Sequence, residues 1–226
     1  MSDRLAGWLL ALAIVAALIP LSAQGRRSSA VGCWSLLLLY VVAFAASDGL
    51  LPEVWRPLAP ALAALSVWLA VQPLRALGSL TPAAIGLVPP RPGSVRPAIA
   101  ATVAVLALSG LVIAARGVDP AVVTTAILAG AIIAAIVEEL VMRGVLLALA
   151  DDAIAPRWSV AGARIGPGGL IVTCAFIALH GARPGVLLGI APPALLYLWL
   201  RARTGSLIAP IVAHVLWNLS VIALHR

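Results

Sequence analysis

The chain has 226 residues, of which 63% are hydrophobic and 10% charged, with a mean hydropathy of +1.12. A water-soluble domain carries roughly a quarter charged residues, so this composition excludes one and marks a polytopic membrane protein. The net charge of +7 comes from 15 basic residues, all arginine. They sit in short loops without interleaved aromatics, which excludes a nucleic-acid surface and makes them topology signals.

Apolar stretches near the ~20 residues that cross hydrocarbon recur along the chain, separated by Pro, Gly and Arg. They predict an all-α fold, a membrane bundle of about eight transmembrane helices over 5–23, 31–51, 57–74, 97–115, 121–149, 168–183, 185–201 and 206–224. The first exceeds the ~7–15 residues of a secretory signal core and is expected as a retained helix. Residues 75–96 form the longest break, and TPAAIGLV within it (81–88) is expected as a short helix at the membrane interface. Gly181, Gly185 and Gly189 recur every fourth position, which predicts close helix approach. Cys33 and Cys174 lie in apolar runs and read as small buried hydrophobes, with no disulfide framework or CxxC knuckle. Residues 1–226 read as one transmembrane domain. Its 1–116 spans carry only hydropathy, and its 117–226 helices carry the polar motifs.

Eight spans put both termini on one side. The odd-numbered loops hold Arg26, Arg27, Arg75, Arg91, Arg96, Arg157, Arg164, Arg201 and Arg203, against Arg4, Arg56, Arg116, Arg183 and Arg226 in the even loops and termini. The positive-inside tendency then places the odd loops in the cytoplasm. The arginine-rich, lysine-free composition points to a GC-rich bacterial genome, and so to the cytoplasmic membrane of a bacterium.

Of eight acidic residues, only the adjacent Glu138 and Glu139 fall deep inside a span, in AAIVEELVMRG (134–144); Asp48 stands at the end of 31–51. Of three histidines, His180 and His214 fall inside spans and His225 is terminal. An acid at the helix centre costs at least ~2.5–3.5 kcal/mol, so such groups face the bundle interior and mark function. At ~1.5 Å rise per residue, Glu138 lies about 18 Å from the Ala150 end of its span, His180 about 18 Å from Gly168, and His214 about 12 Å from Ser206. All three offsets run from the odd-loop side. The expectation is one polar layer with a water-filled cavity open toward the cytoplasm.

Helical spacing separates the two acids. Glu139 and Arg143 are i,i+4 neighbours in the order that favours an ion pair. Glu138 points about 100° away and needs a partner from another helix. Phe176 shares a face with His180, and His214 with Asn218, where an imidazole and an amide one turn apart make a donor/acceptor pair. Trp217 and Phe176 read as packing walls of the cavity.

The ordered set EExxxR (Glu138, Glu139, Arg143), FxxxH (Phe176, His180) and HxxxN (His214, Asn218), with the lead-in RTGSLIAPIVAHVLWN (203–218), resembles the CPBP family of intramembrane proteases. That family includes the CAAX prenyl endopeptidases and the bacteriocin-processing and self-immunity proteins. The resemblance covers roughly 130–220. It implies an endopeptidase acting on a membrane-embedded or lipidated peptide, with membrane lipid and that substrate as partners. It further implies that Glu138 activates water assisted by His180, that His214 and Asn218 stabilise the oxyanion, and that Glu139, Arg143 and Phe176 support them. As to cofactor, Glu138, His180 and His214 would be the ligands if zinc is used. No HExxH is present, and a metal-free glutamate/histidine mechanism is the favoured expectation. The alternative is a non-catalytic immunity or scaffold protein whose polar core only fixes helix packing. A proton-coupled transporter is disfavoured, because the first four spans carry no matching ionisable residue.

Overall fold

A computed structural model describes residues 3–22, 26–76, 80–116 and 124–224. The fold is a helical membrane bundle. Helices α1 (Asp3–Ala16) and α2 (Leu18–Leu21) form one apolar rod; α3 (Arg27–Leu50) and α4 (Ala59–Ala76) follow, joined by a 3₁₀ turn over Glu53–Leu58. The short α5 (Pro82–Ile85) precedes α6 (Val95–Arg116). The long central rod consists of α7 (Thr125–Glu139), a π-helical segment (Leu140–Leu146) and α8 (Leu147–Ala153). After a hairpin of β1 (Trp158–Val160) and β2 (Ala163–Ile165) come α9 (Pro167–Leu179), α10 (Pro184–Thr204) and α11 (Ile208–Leu224).

Four rods are long and apolar enough to cross a membrane: Asp3–Leu21, Arg27–Leu50, Thr125–Ala153 and Pro184–Thr204. Among the described residues, four shorter apolar helices, Ala59–Pro73, Val95–Ala107, Pro167–Leu179 and Ile208–Ala223, fall at the other four expected positions. The outer faces of both groups carry Leu69, Ile99 and Leu188, all well exposed, as hydrocarbon-facing side chains should be.

Local chemistry explains the helix ends. Thr124 Oγ1 accepts from the Ile127 N–H and caps α7. Pro167 and Pro184 open α9 and α10 at positions that need no N–H. The expected interfacial helix is present as α5, capped by Thr81 and ended by left-handed Gly86, where a side chain would meet the Arg201 guanidinium. The hairpin was not anticipated. Its turn residues Ala161 and Gly162 both have positive φ, as a two-residue type I′ turn requires. Trp199 Nε1 and Arg203 Nη1 tie it to α10 through the carbonyls of Val160 and Gly162.

Packing corrects two expectations. An added Cβ at Gly185 or Gly189 would meet nothing, so the glycine repeat is not a close-packing seam. The close approach lies elsewhere: a Cβ on Gly7 of α1 would run into the Ala178 carbonyl and the Gly181 backbone. The thiol of Cys33 is buried and contacts the Leu146 carbonyl at 3.5 Å, whereas Cys174 is exposed on the apolar exterior.

Candidate active site

The site is assembled where α7 and its π segment meet α9, α10 and α11. A π segment holds one extra residue per turn and is frequent at functional sites. Here it begins directly after Glu138–Glu139, and all of Val141–Leu146 are buried in it. Arg143 lies within it, with its side chain 1% exposed. Arg143 Nη1 donates to Glu139 Oε1 at 3.2 Å and Nη2 donates to the Ala194 carbonyl of α10 at 3.2 Å. Its guanidinium also lies over the Phe176 ring, 4.0 Å from the centroid. One arginine therefore ties three helices by charge, hydrogen bond and cation–π contact.

The expected ion pair is thus present, but Glu139 does more than neutralise Arg143. Its Oε1 also accepts from His214 Nδ1 at 3.0 Å, and Glu139 is completely buried. With Nδ1 donating, His214 Nε2 is left facing Glu138 Oε2 at 4.0 Å. Glu138 obtains its interhelical neighbour there, and keeps 18% of its side chain accessible.

His180 lies at the end of α9, not inside a span as expected. The helix stops at Leu179, and Gly181 with φ 131° turns the chain away. His180 Nδ1 donates back to the Phe176 carbonyl at 2.9 Å, leaving Nε2 as the acceptor of a neutral ring. The Phe176 ring stands edge-on between the two imidazoles, its centroid 4.7 Å from that of His180 and 5.9 Å from that of His214. The expected His214–Asn218 donor/acceptor pair is not formed. Both side chains reach across to α7 instead, Asn218 Nδ2 donating to the Ala131 carbonyl at 3.1 Å.

Two cavities meet at this wall. The first, about 230 Å³, is lined by Arg4, Trp8, Tyr40, Phe44, Glu138 and His180. The second, about 420 Å³ and largely apolar, is lined by Ile190, Pro193, Tyr197, His214, Trp217 and Asn218. Phe176 and His180 border both. Pro192 and Pro193 offer no N–H to the carbonyls of Leu188 and Gly189.

The cavity beside Glu138 does not face the odd-loop end, which corrects the expected opening on that side of the bundle. Its rim at Arg4, Phe44 and His180 belongs to the start of α1 and the ends of α3 and α9, the end of the bundle that carries the even loops. Equal offsets along the spans misled because α9 ends four residues before the expected span does. At this rim Arg4 pairs with Asp48 at 2.9 Å, and Asp3 accepts from the Ala182 N–H while lying 3.6 Å from Arg183.

Both tyrosines of the chain are at the site, and neither was singled out from the sequence. Tyr197 stacks on His214 with centroids 4.7 Å apart and an interplanar angle of 20°. Tyr40 lines the Glu138 cavity. Their signal was rarity: the chain holds two phenols, each inside an apolar span.

Among the described residues, no three His, Cys, Asp or Glu are grouped to hold a metal ion. Glu138, His180 and His214 therefore do not form a fitting ligand set as they stand.

Residues 119–220 match the family model of type II CAAX prenyl endopeptidases, Rce1-like. That match, over 119–220, supports assignment to the CAAX protease family. The matched segment contains every residue of the three motifs, while the spans before it contribute Arg4, Trp8, Tyr40 and Phe44 to the cavity. No curated protein and no solved structure matches the chain. The family and the bundle make this an integral membrane protein with a CAAX-type intramembrane endopeptidase assignment.

Proposed function

We propose that the chain hydrolyses a peptide bond next to a membrane-embedded or lipidated segment, with Glu138 as general base. The observation that carries this reading is the pair of cavities separated by Phe176 and His180. The polar one supplies water to Glu138. The apolar one accommodates a hydrocarbon chain or an apolar peptide, and offers Asn218 and His214 to its backbone.

In this reading a water donates one hydrogen bond to His180 Nε2 and its second proton to the Glu138 carboxylate. Its oxygen attacks the scissile carbonyl carbon, and the π electrons move onto the carbonyl oxygen. Asn218 Nδ2 donates to that oxyanion. His214 joins it as the imidazolium, since Nδ1 already donates to Glu139 and only protonation makes Nε2 a donor. Glu139 stabilises that charged ring. The intermediate collapses with cleavage of the C–N bond, and the proton held by Glu138 goes to the departing amine.

The test is purified protein in detergent or nanodiscs with a library of lipidated and unmodified apolar peptides. Glu138→Gln should lose about 10²–10⁴ in kcat while the thermal midpoint stays within about 0.5 kcal/mol equivalent. Undiminished cleavage would remove Glu138 as the base. Loss of folding together with function would favour the scaffold reading, in which the same polar core only fixes packing.

A further inference from the structure

At the odd-loop end of the bundle, away from the site, lies a polar cavity of about 360 Å³. Its polar lining is Arg91, Arg164, Arg201 and Asp151, and Leu147 and Leu198 are part of its apolar lining. Three guanidiniums and one carboxylate leave a formal excess of two positive charges.

The hydrogen bonds of the arginines go to backbone carbonyls. Arg201 Nε donates to the Arg143 carbonyl at 3.1 Å and its Nη2 to the Ala84 carbonyl at 2.7 Å. Arg91 Nη1 reaches the Ala202 carbonyl at 3.4 Å, and Arg164 Nη2 the Pro156 carbonyl at 3.2 Å. Among the described residues none of the three makes an ion pair within 4.0 Å. Arg201 is only 9% exposed, and its Nη1 carries no protein hydrogen bond among these residues. A guanidinium that far from water requires a counter-charge. Asp151 supplies part of that counter-charge through space but makes no ion pair with Arg201 within 4.0 Å, and its Oδ1 is buried without a donor among the described residues.

The level of the cavity narrows the ligand. Asp151 lies in the last turn of the span Thr125–Ala153, Arg201 in the last turn of Pro184–Thr204, and Gly166 and Gly169 flank the start of α9. This is the depth of lipid phosphates. Basic pockets between helices at that depth bind anionic headgroups. Guanidinium forks match phosphate oxygens, two donors at a time. A hydroxyl or ammonium elsewhere in the headgroup would supply the donor that Asp151 Oδ1 lacks.

We propose that this cavity is a binding site for the phosphate of an anionic phospholipid headgroup, held by Arg91, Arg164 and Arg201. The site is independent of the proteolytic reading, though Arg201 also touches the π segment through the Arg143 carbonyl.

The experiment titrates delipidated full-length protein with phosphatidylglycerol and counts bound lipid by native mass spectrometry. Arg201→Gln is avoided because it strips two buried carbonyls of their donor. Arg91→Gln/Arg164→Gln, checked for an unchanged thermal midpoint, should weaken the first bound lipid by about tenfold or more. Arg157→Gln, an exposed arginine at the same end that does not line the cavity, should leave it unchanged. Equal weakening by Arg157→Gln would mean diffuse surface charge and overturn the site. Displacement of the lipid by equimolar inorganic phosphate would make it a free-anion site and overturn the lipid assignment. Absence of any tightly bound lipid would overturn both.

Discussion

Glu139 Oε1 accepts from Arg143 Nη1 and His214 Nδ1 together, at 3.2 and 3.0 Å. One oxygen thereby sets the charge balance of the π segment and the orientation of an imidazole on α11. Glu139→Gln should leave Arg143 buried without its counter-charge and destabilise the protein by about 3–5 kcal/mol. Chemical or thermal denaturation measures it. Arg143→Lys should not substitute for arginine, because an ammonium lacks the fork that spans Glu139 and the Ala194 carbonyl. A Glu139→Gln protein as stable as the parent would show that the brace is dispensable.

The Tyr197 hydroxyl is buried and has no hydrogen-bond partner among the described residues, although its ring stacks on His214. Tyr197→Phe removes an unsatisfied polar group and keeps the stack. Stability should be unchanged or rise by less than about 1 kcal/mol. A clear loss in the thermal midpoint would mean that the hydroxyl has a partner, and would reopen its role beside His214.

Asn218 faces the apolar cavity while one amide hydrogen is held by Ala131. As an oxyanion donor it should act on the transition state more than on binding. Asn218→Ala is expected to lower kcat by about 10²–10³ with KM little changed. Steady-state kinetics on a cleaved peptide separates the two, and a change confined to KM would make Asn218 a substrate-binding residue instead.

Gly7 permits α1 to touch the Ala178 carbonyl and Gly181, next to the turn that carries His180. Gly7→Ala should destabilise by about 1–3 kcal/mol through overpacking and shift His180 with it. Gly185→Ala and Gly189→Ala meet open space, and should raise stability by up to about 1 kcal/mol through helix propensity. Parallel denaturation of the three variants checks both halves.

Hydropathy was enough to find the eight apolar helices and the short interfacial one, because each expresses a bulk property of its own residues. The pairing of Glu139 with Arg143 was legible for a similar reason, since both lie on one helix at a fixed angle. What escaped was whatever depends on a second helix or on one extra residue. The π segment has no compositional mark, yet it follows directly on the paired acids. The bond from Glu139 to His214 crosses 75 positions. Where α9 ends was hidden because His180 is preceded by apolar residues, and only the positive φ of Gly181 breaks the run. That single boundary moved the cavity mouth from the expected side of the bundle to the other. The β-hairpin was hidden too, since its four-residue core of Val160 to Ala163 is short and its Gly162 looked like ordinary loop.

The grip of Asp3 on the Ala182 amide, with Arg183 beside it, has a practical corollary. An affinity tag or fusion partner placed immediately ahead of Asp3 pulls on the same turn that holds the His180 ring. Expression vectors that append their handle after residue 226 spare this latch, and preparations made the two ways should differ in turnover before they differ in yield.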